Sequence, residues 1–207
     1  MKINYQIVCD EKIRKLTENG KRPRMLLHSC CGPCSSYVLE YLSAFFEVTV
    51  LFYNPNIYPE AEYAKRLSEQ KKLIDSMSFQ NRVSLLSVPY DYSVFLNSVC
   101  GLENEREGGA RCTECFRLRL GKCAEIAKEK KFDVFATTLS VSPHKNATLL
   151  NSIGEELSVK YGVEYLPSDF KKREGYKRSI ELSKQYDIYR QEYCGCEFSL
   201  PHEKENV

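Results

Sequence analysis

The chain has 207 residues and a mass of 24.0 kDa, which is the size of one ordinary α/β domain. Hydrophobic residues make up 43% of it and charged residues 28%, a balance that excludes disordered, collagen-like and repeat proteins. With 30 Lys and Arg against 28 Asp and Glu, the net charge of +2 gives no bulk indication of a nucleic-acid partner. The sequence shows neither a run of about 18 apolar residues nor the apolar core of a signal peptide, so we expect a cytoplasmic protein with no membrane partner.

The predicted elements alternate between strands and helices. Residues 1–24 are polar and charged, and we interpret them as an N-terminal extension of a core that spans about 25–199. Strands are predicted at 25–27, 47–52, 83–88, 133–139 and 163–166. Helices are predicted at 37–46, 60–77 and 115–131, from the N-cap Ser142 and Pro143 to about 161, and at 175–185. The segment 101–111 is charged and Gly-rich, and we expect it to be a mobile connection that delivers Cys112 to its site.

This alternation predicts a single α/β domain over 1–207. Its sheet is expected to be mostly parallel and Rossmann-like, of the HUP and PP-loop type, with helices on both faces. In such sheets ligands bind beyond the carboxyl ends of the strands. The cysteines of HSCCGPCSS follow the first strand and precede a helix, so they are expected at that edge, where the helix N-terminus favours thiolate over thiol.

Cysteine is the residue type that needs an explanation. The chain has ten, although disulfides do not persist in the cytosol. Seven of them fall into three groups: Cys30, Cys31 and Cys34; Cys112 and Cys115; and Cys194 and Cys196. The remaining three, Cys9, Cys100 and Cys123, are isolated, and we expect no chemical role for them.

The first two groups predict a site with four thiolate ligands. Adjacent Cys30 and Cys31 can both turn toward one metal centre from a loop. The CxxC spacing of Cys112 and Cys115 is shared by zinc sites, iron–sulfur clusters and redox dithiols. A closed structural zinc site is the main alternative. Cys34 has three open roles: donor to a second metal, hydrogen-bond partner of a cluster, or packing residue on the helix.

The third group points to redox chemistry. In Cys194-Gly195-Cys196, the glycine permits the tight backbone of a small-ring disulfide, which is strained and easily reduced. A structural zinc site would leave this pair without a role. The alternative is a pair of solvated cysteines near the C-terminus.

Five motifs together resemble one known family. In order and spacing, HSCCGPCSS, LFYNPNIYPEAEYAKR, RCTECFRLRL, TTLSVSPHKN and YRQEYCGCEFS resemble the epoxyqueuosine reductases of the QueH type, over about 25–199. The resemblance implies an oxidoreductase of queuosine biosynthesis and tRNA processing. Its reaction would be the reduction of the epoxide of epoxyqueuosine at the tRNA wobble position, with an iron–sulfur cluster as cofactor.

The resemblance also implies roles for single residues. Cys30, Cys31, Cys112 and Cys115 would hold a [4Fe-4S] cluster, and Cys194 and Cys196 would form a redox-active disulfide. An additional iron ion would lie beside the cluster, with Asp169, Asp91 and Cys34 as its candidate ligands. Either aspartate is equally open to a simpler role as an N-cap or turn residue.

A tRNA substrate requires phosphate contacts and a pocket for a base that leaves the anticodon loop. The densest basic segment supplies the phosphate candidates: Lys171, Lys172, Arg173, Lys177 and Arg178, with Tyr176 among them. Further basic candidates are His144, Lys145, Arg117 and Arg119. Tyr53, Asn54 and Asn56 are candidates for stacking on the base and hydrogen bonding to it. The alternatives are a solvated helix face for the basic segment and a turn-shaping role for 53–56.

Two other functions fit parts of the sequence. A zinc-stabilised tRNA-binding module would be colourless and would leave the CGC segment unexplained. A PP-loop-like tRNA-thiolation enzyme would need a phosphate loop rich in glycine and serine after the first strand, where this chain has HSCCGPCSS, so ATP is not predicted. The sequence leaves open the physiological electron donor, the oligomeric state and the preferred tRNAs.

Overall fold

A computed structural model describes residues 3–200, and its centre is a five-stranded parallel sheet. The strands are β1 (Arg24–His28), β2 (Glu47–Phe52), β3 (Val83–Ser87), β4 (Val134–Thr137) and β5 (Glu164–Tyr165). Their order is β3-β2-β1-β4-β5, and each neighbouring pair is parallel. The predicted α/β class with a parallel, Rossmann-like sheet is therefore confirmed.

Seven α-helices connect and flank the strands. They are α1 (Tyr5–Leu16), α2 (Gly32–Leu42), α3 (Glu60–Ser76), α4 (Tyr92–Ser98), α5 (Ala110–Glu129), α6 (Ala147–Tyr161) and α7 (Gly175–Gln185). Short 3₁₀ turns occupy Glu18–Gly20, Thr138–Val141 and Glu197–Ser199. Within residues 3–200, none of these helices combines the length and the apolarity that crossing a bilayer requires.

The sheet is buried on both faces because its side chains alternate along each strand. Leu26 of β1 packs in a core layer with residues of α5 and α6, such as Leu120 and Ile153. Its neighbours Met25 and Leu27 point the other way, into a layer built with α1, α2 and α3. The helices therefore lie on both faces, as the sequence predicts.

The N-terminal segment contributes to the core, although its polar composition predicts only an extension. Helix α1 buries Cys9 and Ile13 in the same layer as Met25 and Leu27 of β1. The sequence does not predict this burial, because only a narrow apolar stripe of α1 faces the core and the rest of its surface is polar. Helix α4 is also absent from the prediction, since its seven residues are too few to establish a helical period.

Two helices begin earlier than predicted, and this changes the position of three cysteines. Helix α2 starts at Gly32 with Pro33 in its first turn, so Cys34 is helical and Cys31 is the N-cap. Helix α5 starts at Ala110, so Cys112 lies in its first turn and not in a connection before the helix. The preceding segment is held in place, because buried Arg111 donates hydrogen bonds to the carbonyls of Leu102 and Glu103.

The N-cap predicted at Ser142 is wrong. Ser142 and Pro143 lie in a turn after β4, where Ser142 Oγ accepts the His144 N–H at 3.3 Å. Helix α6 begins later, and its cap is Asn146, whose Oδ1 accepts the Leu149 N–H at 3.2 Å. Lys145 consequently lies in the connection just before the helix cap.

The strand order places a crevice between β1 and β4. From β1 the chain proceeds outward through β2 and β3 on one side, whereas β4 and β5 lie on the other side. The connections that follow β1 and β4 therefore leave the sheet in opposite directions, and ligands bind at such switch points. The loop after β1 carries Cys30 and Cys31, and the connection after β4 carries Lys145.

Candidate functional site

Three sulfur atoms of the first cysteine group converge at the carboxyl end of β1. The Sγ atoms of Cys30 and Cys31 are 3.7 Å apart, and those of Cys30, Cys31 and Cys34 all lie within 4.8 Å of one another. Cys34 lies close to this pair because α2 starts at Gly32, which places Cys34 in the first helical turn, next to the N-cap residue Cys31. Three thiols at this separation form a group that can bind a metal ion.

A buried network fixes the loop that carries these sulfurs. Ser29 Oγ and Ser35 Oγ each donate to Gln70 Oε1 at 2.7 Å, and Ser35 Oγ is also within 2.8 Å of the Cys31 carbonyl. Asn54 Nδ2 donates to the Ser29 carbonyl at 2.8 Å. The backbone of the cysteine loop is thereby held from both sides before any ligand binds.

The electrostatics of the group favour one negative sulfur. Hydrogen bonds from Cys31 and Cys34 hold the pKa of the Cys30 thiol well below its usual value against the opposing effect of burial, and the positive charges of Lys145 and Arg119 act in the same direction. The hydrogen bond with Cys30 raises the pKa of Cys31 to about 12. A thiolate on Cys30 shared by two neighbouring thiols is a suitable anchor for a cation.

Two cysteine pairs line a small void in the protein. Its volume is about 20 Å³, and we call it the sulfur void. It is lined by Cys112, Cys115, Cys194 and Cys196 together with Asn56, Phe95, Glu107, Gly108, Arg111, Phe116, Arg119, His144 and Lys145. Gly108 donates its N–H to Cys112 Sγ at 3.2 Å. Burial raises the pKa of the Cys115 thiol to about 12.

Arg119 supplies a positive charge to this void. Its side chain is 1% exposed, and its Nη2 is buried without a hydrogen-bond partner within residues 3–200. Burial opposes its charge, but the nearby sulfurs of Cys115 and Cys194 outweigh that effect and raise its pKa. Arg119 therefore faces sulfur and does not reach the surface, where a tRNA phosphate would bind.

The CGC segment is anchored through its backbone. Arg66 Nη1 donates to the Cys194 carbonyl at 3.1 Å, and the Tyr58 N–H donates to the Gly195 carbonyl at 2.8 Å. Gly195 has a φ of +132°, which a side chain would rarely adopt. Cys194 and Cys196 are both free thiols in this structure.

A larger cavity of about 600 Å³, the main cavity, opens beside the sulfur void. Its sulfur-bearing residues are Cys30, Cys34 and Cys194, and Tyr176, Arg190, Gln191 and Tyr193 also line it. Lys145 and Cys194 line both spaces, and Lys145 Nζ is 3.4 Å from Cys194 Sγ. Lys145 and Cys194 thus connect the space beside the first cysteine group with the void between the other two groups. Within residues 3–200, the sulfurs close enough to hold one metal ion are those of Cys30, Cys31 and Cys34, and Cys112 and Cys115 are not among them.

The structure separates the three residues that were candidates for base contacts. Asn54 and Asn56 are each 1% exposed, and both have a buried Oδ1 without a hydrogen-bond partner within residues 3–200. Asn56 lines the sulfur void, whereas Asn54 supports the cysteine loop. Tyr53 lies elsewhere, in a groove of about 400 Å³ that it shares with Arg117 and Lys122.

Both candidate aspartates have other partners. Asp169 Oδ1 pairs with Lys171 Nζ at 2.6 Å, and Asp91 caps α4 by accepting the Ser93 N–H at 3.0 Å. Neither lines the main cavity or the sulfur void. The donor that lies next to Cys30 and Cys31 is Cys34.

Most of the basic segment is paired with carboxylates. Besides the pair of Lys171 and Asp169, the ion pairs are Arg173 with Asp10 at 2.5 Å, Lys177 with Glu174 at 3.0 Å and Arg178 with Glu40 at 2.7 Å. Lys172 is exposed and has no ion pair within residues 3–200. His144 is also exposed, at the mouth shared by the main cavity and the sulfur void.

Gln191 is a site residue that sequence reasoning missed. Its Nε2 donates to Cys31 Sγ at 3.0 Å, and its Oε1 is buried without a hydrogen-bond partner within residues 3–200. Arg66 and Arg190 were missed as well. A single glutamine or arginine in a polar segment carries no signal, because its contact is made with a residue distant in sequence.

Comparison with known proteins identifies the family. The model of the family "Epoxyqueuosine reductase QueH" matches residues 25–202. A QueH epoxyqueuosine reductase of Streptococcus pyogenes is 44% identical over 200 residues, covering 96% of this chain and 78% of the relative. One of Thermotoga maritima is 35% identical over 184 residues, covering 87% of this chain and 92% of the relative.

Solved structures agree with the fold. The U34-tRNA thiolase NcsA of Methanococcus maripaludis, a structure with its [4Fe-4S] cluster, superposes with a TM-score of 0.52 and 12% identity, over 93% of this chain and 67% of that one. At this identity the likeness supports the fold alone. The sequence matches go further, because the family model spans 25–202 and the relatives are 35–44% identical over most of this chain: the chain belongs to the QueH family of epoxyqueuosine reductases.

Proposed function

We propose that this protein removes the epoxide oxygen of epoxyqueuosine in tRNA, using a [4Fe-4S] cluster and the thiols of Cys194 and Cys196. The observation that supports the proposal is the convergence of Cys30, Cys31 and Cys34 beside the main cavity, which shares Lys145 and Cys194 with the void lined by the other two cysteine groups. Family membership supports the reaction, and the residue roles are our proposal.

Conversion of an epoxide to an alkene takes up two electrons and two protons and releases one water. The protein must therefore deliver electrons and protons to one oxygen atom in a restricted space. Oxidation of two thiols to a disulfide releases the same numbers of electrons and protons, so one Cys194 and Cys196 pair balances one turnover.

We propose Cys30, Cys31, Cys112 and Cys115 as the ligands of the cluster, which would supply single electrons and a Lewis acid for the oxygen. Two hydrogen bonds to sulfur support iron binding by these cysteines. Cys31 and Cys112 accept N–H hydrogen bonds from Gln191 and Gly108, as cluster thiolates do.

An additional iron ion would take Cys34 as a ligand. This thiol completes the triad with Cys30 and Cys31, and it also lines the main cavity, where the epoxide would enter. Asp169 would have to leave Lys171 to serve as a second ligand. Cys34 thus has the stronger claim of the two.

The main cavity suits a nucleoside that has left the anticodon loop. Its volume of about 600 Å³ is in the usual range for small-molecule sites. Tyr176, which is 38% exposed, and Tyr193 line it and offer aromatic faces for stacking. His144 and Lys172 are exposed cations or potential cations suited to phosphate contacts outside it.

The test begins with protein purified without air. We expect a coloured protein with about four sulfides and about five irons per chain, or about four irons where the additional ion is lost, and conversion of epoxyqueuosine to queuosine in tRNA with a chemical reductant. Alanine at Cys30, Cys31, Cys112 or Cys115 should abolish both the cluster and the activity. Serine at Cys100, an exposed thiol outside both spaces, is the matched control.

Two results would contradict the proposal. Colourless protein that holds zinc would instead support the zinc-stabilised binding module. Full turnover by a Cys194→Ala, Cys196→Ala double variant, with the cluster intact, would remove the dithiol from the reaction.

A further inference from the structure

The two cysteines of the CGC segment are in different environments. Cys194 is half-buried and lines the main cavity. Cys196 is 8% exposed, packs against Phe95 and Val99, and lines the sulfur void but not the main cavity. A molecule entering through the main cavity therefore meets the sulfur of Cys194 first.

The neighbours of the two sulfurs also differ. Cys194 Sγ accepts a hydrogen bond from Lys145 Nζ at 3.4 Å. Cys196 Sγ faces the Ser199 hydroxyl at 3.5 Å, a neutral partner. A charged donor binds an anionic sulfur more strongly than a neutral hydroxyl does, so Cys194 is the better nucleophile and the better group to leave a mixed disulfide with an external thiol.

Lys145 has a restricted set of partners. No carboxylate within residues 3–200 forms an ion pair with it, and its sulfur neighbours are Cys194, Cys30 and Cys34. The Lys145 ammonium group is therefore positioned to donate to a sulfur atom and is poorly placed to contact a tRNA phosphate.

We infer that Cys194 is the thiol that exchanges with an external dithiol through the main cavity, that Cys196 is its buried partner, and that Lys145 is a positioning residue for Cys194. This inference rests on the proposed function, because it concerns how the oxidised pair is restored after a turnover. The sequence alone does not show which cysteine reacts with the external dithiol, because Cys194 and Cys196 both flank the same glycine.

The exchange balances with a dithiol as the reductant. One donor thiolate forms a bond to Cys194 Sγ, the bond between Cys194 and Cys196 breaks, and Cys196 leaves and takes a proton. The second donor thiol then attacks the donor sulfur of the mixed disulfide. Cys194 leaves as a thiolate beside Lys145, the donor departs as a disulfide, and two electrons have passed to the protein.

The experiment traps the mixed disulfide. Holoprotein carrying Cys100→Ser is prepared without air as the parent, and Cys194→Ser and Cys196→Ser are each added to it. Each protein is treated with dithiobis(nitrobenzoate), and peptide mass mapping locates the label. We expect Cys196→Ser to be labelled at Cys194 at least about tenfold faster than Cys194→Ser is labelled at Cys196.

Lys145 is tested in the Cys196→Ser background. Lys145→Met should slow labelling of Cys194 by about tenfold, and Lys145→Arg should restore much of the rate, because it keeps a charged donor. Lys128→Met, at an exposed lysine outside both spaces, is the matched control and should leave the rate unchanged. The cluster absorbance of each variant is recorded to verify that the fold and the metal centre persist.

The outcomes separate this inference from the proposed function. Equal labelling, or preferred labelling of Cys196, would contradict the assignment of Cys194 as the exchanging thiol. An unchanged labelling rate in Lys145→Met would contradict the positioning role of Lys145. Epoxide reduction by the parent is measured in parallel. A parent that lacks turnover contradicts the proposed function, whereas an active parent labelled mainly at Cys196 contradicts this inference alone.

Discussion

Arg119 donates its Nε–H to the carbonyl of Cys115, 3.2 Å away and one turn earlier in α5, and extends into the sulfur void. No carboxylate within residues 3–200 forms an ion pair with it, and its Nη2 has no partner there. A buried cation without a counterion is costly, so we expect Arg119 to be stabilised when the cysteines beside it act as thiolate ligands.

Replacing Arg119 should therefore change the redox properties of the metal centre. Arg119→Gln removes a positive charge next to the proposed sulfur ligands and should make the midpoint potential of the proposed cluster more negative, on the order of 60 mV, a tenfold change for one electron. Arg119→Lys should shift it less. Redox titration followed by electron paramagnetic resonance measures both values.

The control for this change is Arg117→Gln. Arg117 lies two residues earlier on α5, but its guanidinium is partly exposed and pairs with Glu156 at 2.6 Å. Its removal should leave the potential unchanged. Equal potentials in Arg119→Gln and the unmodified protein would show that Arg119 serves packing only.

The backbone of Gly195 predicts a second effect. A Cβ at this residue would lie 3.1 Å from Arg66 Nη1 and 3.2 Å from Ile57 Cγ1, in addition to the strain of φ +132°. Such backbone strain costs about 1–3 kcal/mol. Gly195→Ala should lower the free energy of unfolding by about that amount and reduce turnover, because it displaces both thiols.

Gly101→Ala provides the comparison. Gly101 also has a positive φ, +81°, but a Cβ there would meet nothing within 4 Å. Denaturant unfolding should show a smaller loss for Gly101→Ala, and turnover should be retained. Retained turnover in Gly195→Ala as well would show that the anchoring of the CGC segment is dispensable.

The parallel sheet and the three cysteine groups could be predicted from the sequence because their signals are local. Apolar runs bounded by turn residues predict β1, β2 and β4, and cysteine spacing marks the candidate metal and redox groups. The first residues of α2 and α5 were harder to predict from the sequence. Gly32, Pro33 and Gly109 are typical of loops, yet here they form the first turn or the cap.

Contacts between distant residues explain the remaining differences. The basic segment near 171–178 is a phosphate-binding candidate only while its charges are counted alone. Arg173 is neutralised by Asp10, 163 residues earlier, and Arg178 by Glu40, 138 residues earlier. The contact of Gln191 with Cys31 spans 160 residues. No local pattern predicts such pairs.

Asp10 links α1 to the rest of the protein, and its chemistry predicts a dependence on pH. Its carboxylate accepts hydrogen bonds from Tyr41 Oη at 2.6 Å and Gln6 Nε2 at 2.9 Å, and it pairs with Arg173. Burial raises its pKa, but these partners outweigh burial and hold the pKa below the ordinary 3.8. The unfolded chain therefore binds a proton at a higher pH than the folded protein does.

The resulting stabilisation is complete above pH 3.8 and is lost as the pH falls through the lower pKa of the folded state. Asp10→Asn should lower the free energy of unfolding at neutral pH and flatten its dependence on pH in the acid range. Urea unfolding at a series of acid pH values measures this. Parallel acid profiles for Asp10→Asn and the unmodified protein would exclude the role of Asp10.

The partial pairing of the basic segment predicts unequal contributions to tRNA binding. Lys172→Glu should weaken binding and reduce the slope of affinity against salt by about one, as expected for one lost phosphate contact. Arg178→Gln should have little effect, because Arg178 already pairs with Glu40 and Glu181. Binding titrations at several salt concentrations compare them. Equal losses would show that tRNA displaces the internal ion pairs.

Tyr176 predicts a separation between substrate binding and chemistry. Its ring is 38% exposed, lines the main cavity and lies 6.0 Å from the Arg190 guanidinium, so one of its faces is available to a base. Stacking on an aromatic side chain contributes about 1–3 kcal/mol per base. Tyr176→Ala should therefore raise KM for the tRNA about tenfold or more with little change in kcat, whereas Tyr176→Phe should retain both values. Exposed Tyr58, which is outside the main cavity, provides the control Tyr58→Ala. A fall in kcat with unchanged KM for Tyr176→Ala would place Tyr176 in the chemistry and not in base binding.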